Sequence, residues 1–184
     1  MANLSGGHQL LDAMKILQDI GIGNGQRVAD LGCGAVAHFT FPAAALVGKG
    51  GMVYAVDIRR IVLEGVTNRC RVDGIKNIQT IWSNLEIPKA TGIADNSLDV
   101  ALLITVLFQN NDHEPIIAEA VRMTRPGGHV VIIDWRRQQS TFGPPLDHRL
   151  DVEKILRLCQ NSGITLEREF VPGPFHFGLI FKKQ

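Results

Sequence analysis

Apolar residues recur along this chain with two alternating periodicities, which predict strands and helices in turn. Short apolar runs that predict strands occupy residues 27–30, 52–57, 78–82, 97–104 and 129–134. Helical spacing is found over residues 9–20, 38–47, 59–72, 114–123 and 152–159. Two last strands are predicted at residues 165–171 and 175–182, joined across a Pro-Gly-Pro turn.

This alternation predicts an α/β fold, a doubly wound, seven-strand Rossmann-like sheet that is mostly parallel with an antiparallel C-terminal strand pair. One domain is expected over residues 1–184, with residues 1–25 as a helical cover and residues 164–184 as the strand pair. Residues 125–128, Arg-Pro-Gly-Gly, are predicted to turn before the fifth strand. In such sheets ligands bind beyond the carboxyl ends of the strands.

The first strand ends in a pattern that favours a nucleotide-like ligand. Asp30 is followed by Gly32 and Gly34, and a helix is predicted directly after this turn. Glycine lets a ligand approach the backbone closely, and the helix start offers unpaired N–H groups with a partial positive charge. The second strand also ends in an acid, Asp57, which is suited to a ribose hydroxyl.

The glycine pattern alone leaves two ligands open. Gly32-x-Gly34-x-x-Ala37 also satisfies the dinucleotide fingerprint, so a nicotinamide cofactor remains an alternative. Asp30 stands two residues before Gly32, where its negative charge disfavours a pyrophosphate and favours a cationic sulfonium ligand. The chain also ends after the strand pair, which leaves no expected domain for a hydride donor's substrate.

Composition and charge predict which partners and which cellular compartment the protein has. The 184 residues carry a formal net charge of +1, so no overall field attracts nucleic acid or a membrane surface. No run of 18 apolar residues and no leader peptide are expected. The three cysteines, an odd number without metal-ligand spacing, favour reduced thiols in the cytoplasm and no metal site.

Four ordered segments resemble class I S-adenosylmethionine-dependent methyltransferases, in particular the small type 11 branch that includes quinone-biosynthesis C-methyltransferases. The segments are Val-Ala-Asp-Leu-Gly-Cys-Gly at 28–34, Val-Tyr-Ala-Val-Asp at 53–57, Ala-Asp-Asn-Ser-Leu-Asp-Val at 94–100 and Arg-Pro-Gly-Gly-His-Val-Val-Ile at 125–132. The resemblance covers roughly residues 8–180 and implies S-adenosylmethionine as cofactor, with S-adenosylhomocysteine as product.

The resemblance also implies which strand-end residues contact the cofactor. Asp57 would hold the ribose hydroxyls, and Ile58 would lie against the adenine. The methionine half would lie beside Asp30 and the glycine turn, whose Cys33 is interpreted as a small apolar spacer. The full implied set is Asp30, Gly32, Cys33, Gly34, Asp57, Ile58, Asn84, Leu85, Leu103 and Ile104.

Two residues depart from the family pattern. Val36 and Ala37 stand where a third glycine is usual, and a β-branched residue such as Val36 would be strained there if the position needs a positive φ. Asn84 replaces the usual acid of the loop after the third strand, although its carbonyl can still accept from an adenine amino group. These departures motivate a second hypothesis, a non-catalytic adenosyl-binding or regulatory module.

The acceptor side is predicted only as a set of candidates. No catalytic residue is assigned, because sulfonium is an excellent leaving group and the protein mainly has to align the acceptor and exclude water. A general base is needed only if the acceptor arrives protonated. Candidates at the carboxyl edge or near it are His8, Phe108, Gln109, Asp134, Trp135, Arg136, His148 and His176.

The leading hypothesis is methyl transfer to a small organic acceptor by in-line displacement. The strand over residues 97–104 continues as Thr-Val, not as the N/D-P-P-Y/F of DNA amine methylases. Together with the near-zero net charge, this disfavours a nucleic-acid substrate. No membrane partner is expected, and the protein would act alone or as a homodimer.

Overall fold

A seven-stranded sheet runs through residues 10–184, the part of the chain that the computed structural model describes. In chain order the strands are β1 (Arg27–Leu31), β2 (Met52–Asp57), β3 (Ile78–Trp82), β4 (Leu98–Ile104), β5 (Thr124–Trp135), β6 (Ile164–Gly173) and β7 (His176–Lys183). The helices are α1 (Ala13–Asp19), α2 (Thr40–Val47), α3 (Arg60–Asp73), α4 (Glu114–Met123) and α5 (Val152–Asn161).

The strands lie in the order β3-β2-β1-β4-β5-β7-β6. The pairs from β3 through β5 are all parallel, whereas β7 is antiparallel to both of its neighbours, β5 and β6. The predicted seven-strand Rossmann-like sheet, with its C-terminal antiparallel pair, is therefore confirmed. Because β1 lies between β2 and β4, the chain changes direction across the sheet at the β1–β4 boundary.

Helices cover both faces of the sheet. The first, second and third helices pack on one face, where Leu17, Val47 and Val66 are buried against the strands. The other face is covered by α4 and α5, through residues such as Ile117 and Ile155. The central strand β4 is buried on both sides from Val100 to Ile104, as its apolar run predicts.

Local signals explain where three helices begin or end. The side chain of Asp12 accepts the Lys15 N–H at 3.0 Å and caps α1, and Asp151 caps α5 in the same way. Gly74 ends α3 in the left-handed conformation at φ 67°. The Asp12 cap fixes the start of α1 at Ala13. The predicted start at residue 9 is therefore too early.

Two further predicted boundaries are wrong. Residues 38 and 39 belong to the turn after β1, so α2 begins at Thr40 and not at residue 38. Residues 125–128 are part of β5 and do not form a separate turn. Gly127 takes a positive φ of 75° there, and the pairing with β4 shifts register between Leu98 and Val100. The strand thus absorbs this Gly-Gly segment as an irregularity.

The segment at 94–100, one of the four that carry the family resemblance, is anchored by Arg122 of α4. The guanidinium of Arg122 forms two 2.8 Å hydrogen bonds with the buried carboxylate of Glu119, and it also contacts Asp95. It donates a further bond of 2.9 Å to the Ile93 carbonyl. This arginine therefore holds the loop before β4 to α4.

Replacing Arg122 with alanine should destabilise the fold by about 2 kcal/mol, because the carboxylate of Glu119 would stay buried without its counter-charge. The expected loss is below that of a fully buried pair, since Asp95 and part of Arg122 reach solvent. Urea unfolding measures it. Asp73→Ala, which breaks the exposed pair with Arg69, is the matched control and should change stability by less than about 0.5 kcal/mol. Equal effects of the two variants would contradict the prediction.

None of the helices found within residues 10–184 is long and apolar enough to cross a membrane.

Candidate functional site

The carboxyl ends of β1 and β4 lie side by side at the point where the strand order reverses. A crevice at this topological switch point is the usual ligand site of a doubly wound sheet. Asp30 lies near the end of β1 and is in register with Leu102, while Asp57 is the last residue of the neighbouring strand β2. The structure thus brings the predicted acids to one edge of the sheet.

The turn after β1 is tied to the end of β2 by its backbone. The N–H groups of Gly32 and Cys33 donate to the Val56 carbonyl at 2.8 and 2.9 Å. Gly32 and Gly34 both take positive φ values, 82° and 68°. A Cβ atom on Gly32 would lie 2.6 Å from a methyl group of Val106, so glycine is required there by conformation and by space.

Val36 does not occupy the strained position that the sequence suggested. After Gly34, the positive φ of this turn falls on Ala37, at 47°, and Ala37 is buried. Val36 is 56% exposed, and its φ is not positive. A β-branched residue is therefore accommodated at position 36 without the expected backbone cost.

Asp57 links the glycine turn to the start of α3. One carboxylate oxygen, Oδ2, accepts the Gly34 N–H at 3.0 Å. The other, Oδ1, accepts the Arg59 N–H at 2.9 Å and is approached by Arg59 Nε at 3.3 Å. A carboxylate oxygen can accept more than one hydrogen bond, so Asp57 retains acceptor capacity beyond these contacts.

Asp30 is a buried acid with one strong hydrogen bond. The Thr40 hydroxyl, at the start of α2, donates to its Oδ2 at 2.6 Å. Burial raises the pKa of Asp30 to about 6, a rise that the Thr40 bond opposes and the negative charge of Asp57 reinforces. Asp30 and Asp57 thus both also contact the start of the helix that follows their strand. An acid that only caps the next helix would make the same contact.

The predicted adenine-side residues surround the loop after β3. The side chain of Ile58 is 57% exposed. The Asn84 Oδ1 accepts the Glu86 N–H at 2.9 Å, and Leu85 is buried. The indole of Trp82, which no sequence motif indicates, donates to the Ile58 carbonyl at 2.9 Å. The one sequence feature that could have indicated Trp82 is its position as an aromatic residue at the end of a predicted strand.

The end of β4 leads the chain from the core to the glycine turn. Leu103 and Ile104 are both buried, and they pack into the cores on opposite faces of the sheet. The residue that meets the glycine turn is Val106, two positions further on, through its contact with Gly32. Thr105 turns the chain between them with a positive φ of 53°. Sequence spacing gave no signal for Val106.

The acceptor-side candidates separate into different environments. Phe108 and Gln109 form a short 3-10 turn after β4, where the Phe108 N–H donates to Asp134 at 3.3 Å. Trp135 and His176 are both buried, with ring centroids 4.2 Å apart. His148 is exposed on another 3-10 turn, and His8 lies outside the described residues. The structure therefore brings together Phe108, Gln109 and Asp134, and it leaves His148 apart.

Arg149 organises the loop after β5, and no motif had indicated it. Arg149 is a buried cation. Its guanidinium donates hydrogen bonds to the backbone carbonyls of Gln138, Phe142 and Pro144. The same loop packs on Trp135, since a Cβ on Gly143 would lie 2.5 Å from the indole ring. This arginine fixes residues 136–149 at the carboxyl edge of the sheet.

Asp134 is fully buried at the end of β5, and burial raises its pKa to about 7. Its carboxylate accepts the N–H groups of Phe108 and Trp135. A raised pKa means that the folded protein keeps a proton that the unfolded chain releases, so ionisation of this group lowers stability as pH rises from about 4 to about 7.

We expect Asp134→Asn, which cannot ionise, to gain stability relative to the unmodified protein as pH rises. The gain should be roughly 2 kcal/mol between about pH 5.5 and about pH 7.5. Urea unfolding of both proteins at the two pH values measures it. Asp95→Asn, at an exposed acid whose pKa is lowered, is the control and should show no such gain. A constant stability difference for the Asp134 variant across this range would contradict the prediction.

Among residues 10–184 no three His, Cys, Asp or Glu side chains lie close enough to hold a metal ion.

Comparison with known proteins decides the family. A methyltransferase-domain family model matches residues 22–163, well over half of the chain. The chain belongs to this methyltransferase family. Its sheet order and its antiparallel strand pair are those of a class I S-adenosylmethionine-dependent methyltransferase of the type 11 kind, and S-adenosylmethionine is the cofactor of the family. The resemblance stated from four sequence segments is thereby confirmed.

Solved structures and curated relatives agree with this assignment. A SAM-dependent methyltransferase from Aquifex aeolicus is 25% identical, with a TM-score of 0.83 over 94% of this chain and 90% of that one. A protein described as a type 11 methyltransferase, from Sulfolobus solfataricus, is 28% identical, with a TM-score of 0.77 over 95% and 94%. Demethylmenaquinone methyltransferase of Geobacillus stearothermophilus is 27% identical over 70% of this chain. The chain spans about half the length of that relative, 53%.

Proposed function

We propose that this methyltransferase domain transfers the methyl group of S-adenosylmethionine to a small organic acceptor. The observation that supports the proposal most directly is the contact between Gly34 and Asp57 at the switch-point crevice. It places a glycine turn and a strand-end carboxylate side by side, the pair that a ligand with both a ribose and a charged tail requires. Net charge near zero favours a small acceptor over nucleic acid.

The residues present fit the cofactor. Asp57 keeps acceptor capacity for ribose hydroxyls, and the exposed side chain of Ile58 offers an apolar surface for the adenine. Gly32 leaves no room for a side chain against Val106, so glycine lets the turn pack closely on the chain that follows β4. Asp30 supplies a nearby negative charge, which suits a sulfonium and an ammonium group.

Leu85 and Asn84 would complete the adenosyl half of the proposed site, and Cys33 with Gly34 would line the methionine half. The thiol of Cys33 is buried, and its pKa is raised far above its usual range by burial. It is therefore a neutral spacer and not a nucleophile at neutral pH.

The main contribution that this reaction needs from the protein is to position the acceptor relative to the methyl group. The cofactor supplies a methyl group on a positively charged sulfur, which is already a good leaving group. The chain's own residues then have to hold the acceptor in line and exclude water. We propose that Phe108, Gln109 and the Arg149-fixed loop provide this wall, because they lie at the carboxyl ends of β4 and β5.

The hypothesis of a non-catalytic module loses one of its two supports. It was based on Val36 and Asn84, and Val36 is exposed without a strained φ. Asn84 uses its amide oxygen for the Glu86 N–H, but this oxygen has a second lone pair for a ligand.

Titration calorimetry tests the proposal. We expect S-adenosylmethionine and S-adenosylhomocysteine to bind with micromolar dissociation constants, and NAD not to bind. Binding of neither adenosyl compound would overturn the proposal, and binding of NAD alone would support a nicotinamide-dependent enzyme. Mass spectrometry of small molecules that copurify with the protein would then identify the acceptor.

We also propose the setting in which the domain works. Its three free cysteines favour a reducing compartment such as the cytoplasm. The partner would be a free small molecule, without nucleic acid or membrane. The acceptor pocket would be completed by loop 136–149 or by a second copy of the chain in a homodimer, which the molar mass in solution distinguishes.

A further inference from the structure

Trp82 is the last residue of β3 and lies in parallel register with Asp57 at the end of β2. Its side chain is 56% exposed, yet both its N–H group and its ring have partners. The indole Nε1 donates to the Ile58 carbonyl at 2.9 Å, and the Arg60 guanidinium lies 3.9 Å from the ring centroid. The side chain therefore holds the turn between β2 and α3 from its outer side.

The same turn is held from its inner side by Asp57. The Asp57 carboxylate accepts the N–H of Arg59 within the turn and the N–H of Gly34 in the turn after β1. Ile58 thus lies between two anchors, with the indole bonded to its carbonyl and its own side chain exposed. The orientation of Ile58 depends on both anchors.

The contacts of Trp82 contribute little to the stability of the core. More than half of the side chain is in contact with solvent, so its burial adds much less than that of a core aromatic residue. Its stacking partner, Arg60, lies on the surface, where such cation–π contacts are weak. A geometric role for the indole N–H explains its contacts better than a stabilising one.

We infer that Trp82 is a positioning residue of the adenosyl subsite, which acts by fixing the Ile58 carbonyl and with it the turn that presents Asp57 and Ile58. The inference rests on the proposed function, because it concerns the same cofactor. Trp82 does not itself touch the cofactor. A fixed turn avoids the ordering cost that a mobile one would incur on binding.

The test compares two variants with two ligands. Trp82→Phe removes the indole N–H and keeps a ring for Arg60, whereas Arg60→Met removes the cation and keeps the N–H bond. Calorimetry with S-adenosylhomocysteine and with 5′-methylthioadenosine, which lacks the amino-acid end, should show about fivefold weaker binding of both ligands to Trp82→Phe. Arg60→Met should stay within about twofold of the unmodified protein.

The expected loss has a signature that a merely structural defect lacks. The unfolding temperature of Trp82→Phe should stay close to that of the unmodified protein, and the factor lost should be equal for the two ligands. Unchanged affinity, or a loss confined to S-adenosylhomocysteine, would overturn the inference. If the unmodified protein binds neither ligand, the proposed function itself fails, which is a different result.

A measurement on the unmodified protein keeps the inference testable if Trp82→Phe does not fold. The chain has two tryptophans, Trp82 and the buried Trp135. Adding 5′-methylthioadenosine should shift the indole N–H resonance of Trp82 in a nitrogen–proton correlation spectrum, once that resonance is assigned through its own backbone. Saturating ligand that leaves this resonance in place would overturn the inference.

Discussion

Replacing Asp57 with alanine is expected to weaken the binding of S-adenosylhomocysteine about 100-fold, as measured by calorimetry. The proposed role of the carboxylate is to accept both ribose hydroxyls, and a hydrogen bond to a charged group contributes about 1.5–3 kcal/mol. The change also removes the acceptor of the Gly34 and Arg59 N–H groups. The turn after β1 and the turn after β2 would therefore lose their direct link as well.

Asp99→Ala is the matched control for Asp57→Ala. Asp99 is an acid of the same sheet that also holds a backbone N–H group, that of Arg27 at 2.7 Å, and it pairs with Arg125. It lies at the opposite, amino-terminal edge, near the start of β4. Its removal should lower stability and leave ligand affinity unchanged, and Asp57→Asn should lie between the two. An Asp57→Ala protein that binds the ligand within about threefold of the unmodified protein would refute the assigned site.

The sequence predicted the sheet because its strands carry strong and local signals. The run at 98–104 is apolar at all but one position, as a central strand covered on both faces requires, and the acids Asp30 and Asp57 lie at or near the ends of β1 and β2. Boundaries were less predictable. Residues 125–128 are predicted as a turn, but strand pairing on both sides of the Gly-Gly segment keeps them within β5.

The cofactor side of the crevice was more predictable than the acceptor side. Gly32 and Asp57 follow from conformational need and from position at a strand end, both of which are local properties. Trp82, Val106 and Arg149 act through contacts with residues distant in sequence or through the path of a loop. No spacing rule encodes such contacts, so they appear only in the structure.

The two histidines on the acceptor side also show that sequence alone does not predict contacts between distant segments. His148 and His176 are both candidates in the sequence, since a lone His has no local signal for burial. The register of β7 with β5 places His176 opposite Trp135, inside the protein, whereas His148 lies on an exposed turn. Strand pairing between distant segments decided which of the two became buried.

Gly32→Ala is expected to have the largest effect of any single substitution in the turn after β1. The positive φ of 82° costs an alanine roughly 1–2 kcal/mol. The new Cβ would also lie 2.6 Å from a Val106 methyl group, and such overpacking costs about 1–3 kcal/mol more. A shift of the turn that relieves the contact strains its hydrogen bonds to the Val56 carbonyl, so binding of S-adenosylhomocysteine should fall more than 100-fold.

Gly21→Ala separates the two causes, because Gly21 has nearly the same φ, 83°, and a Cβ added there would have no neighbouring atom within 4 Å. It should lose only the conformational part, about 1 kcal/mol in urea unfolding, and keep its ligand affinity. Adding Val106→Ala to the Gly32→Ala protein should recover the overpacking part of the stability and not the conformational part. If Gly32→Ala behaved like Gly21→Ala in both stability and affinity, close packing of this turn against β4 would have no part in forming the site.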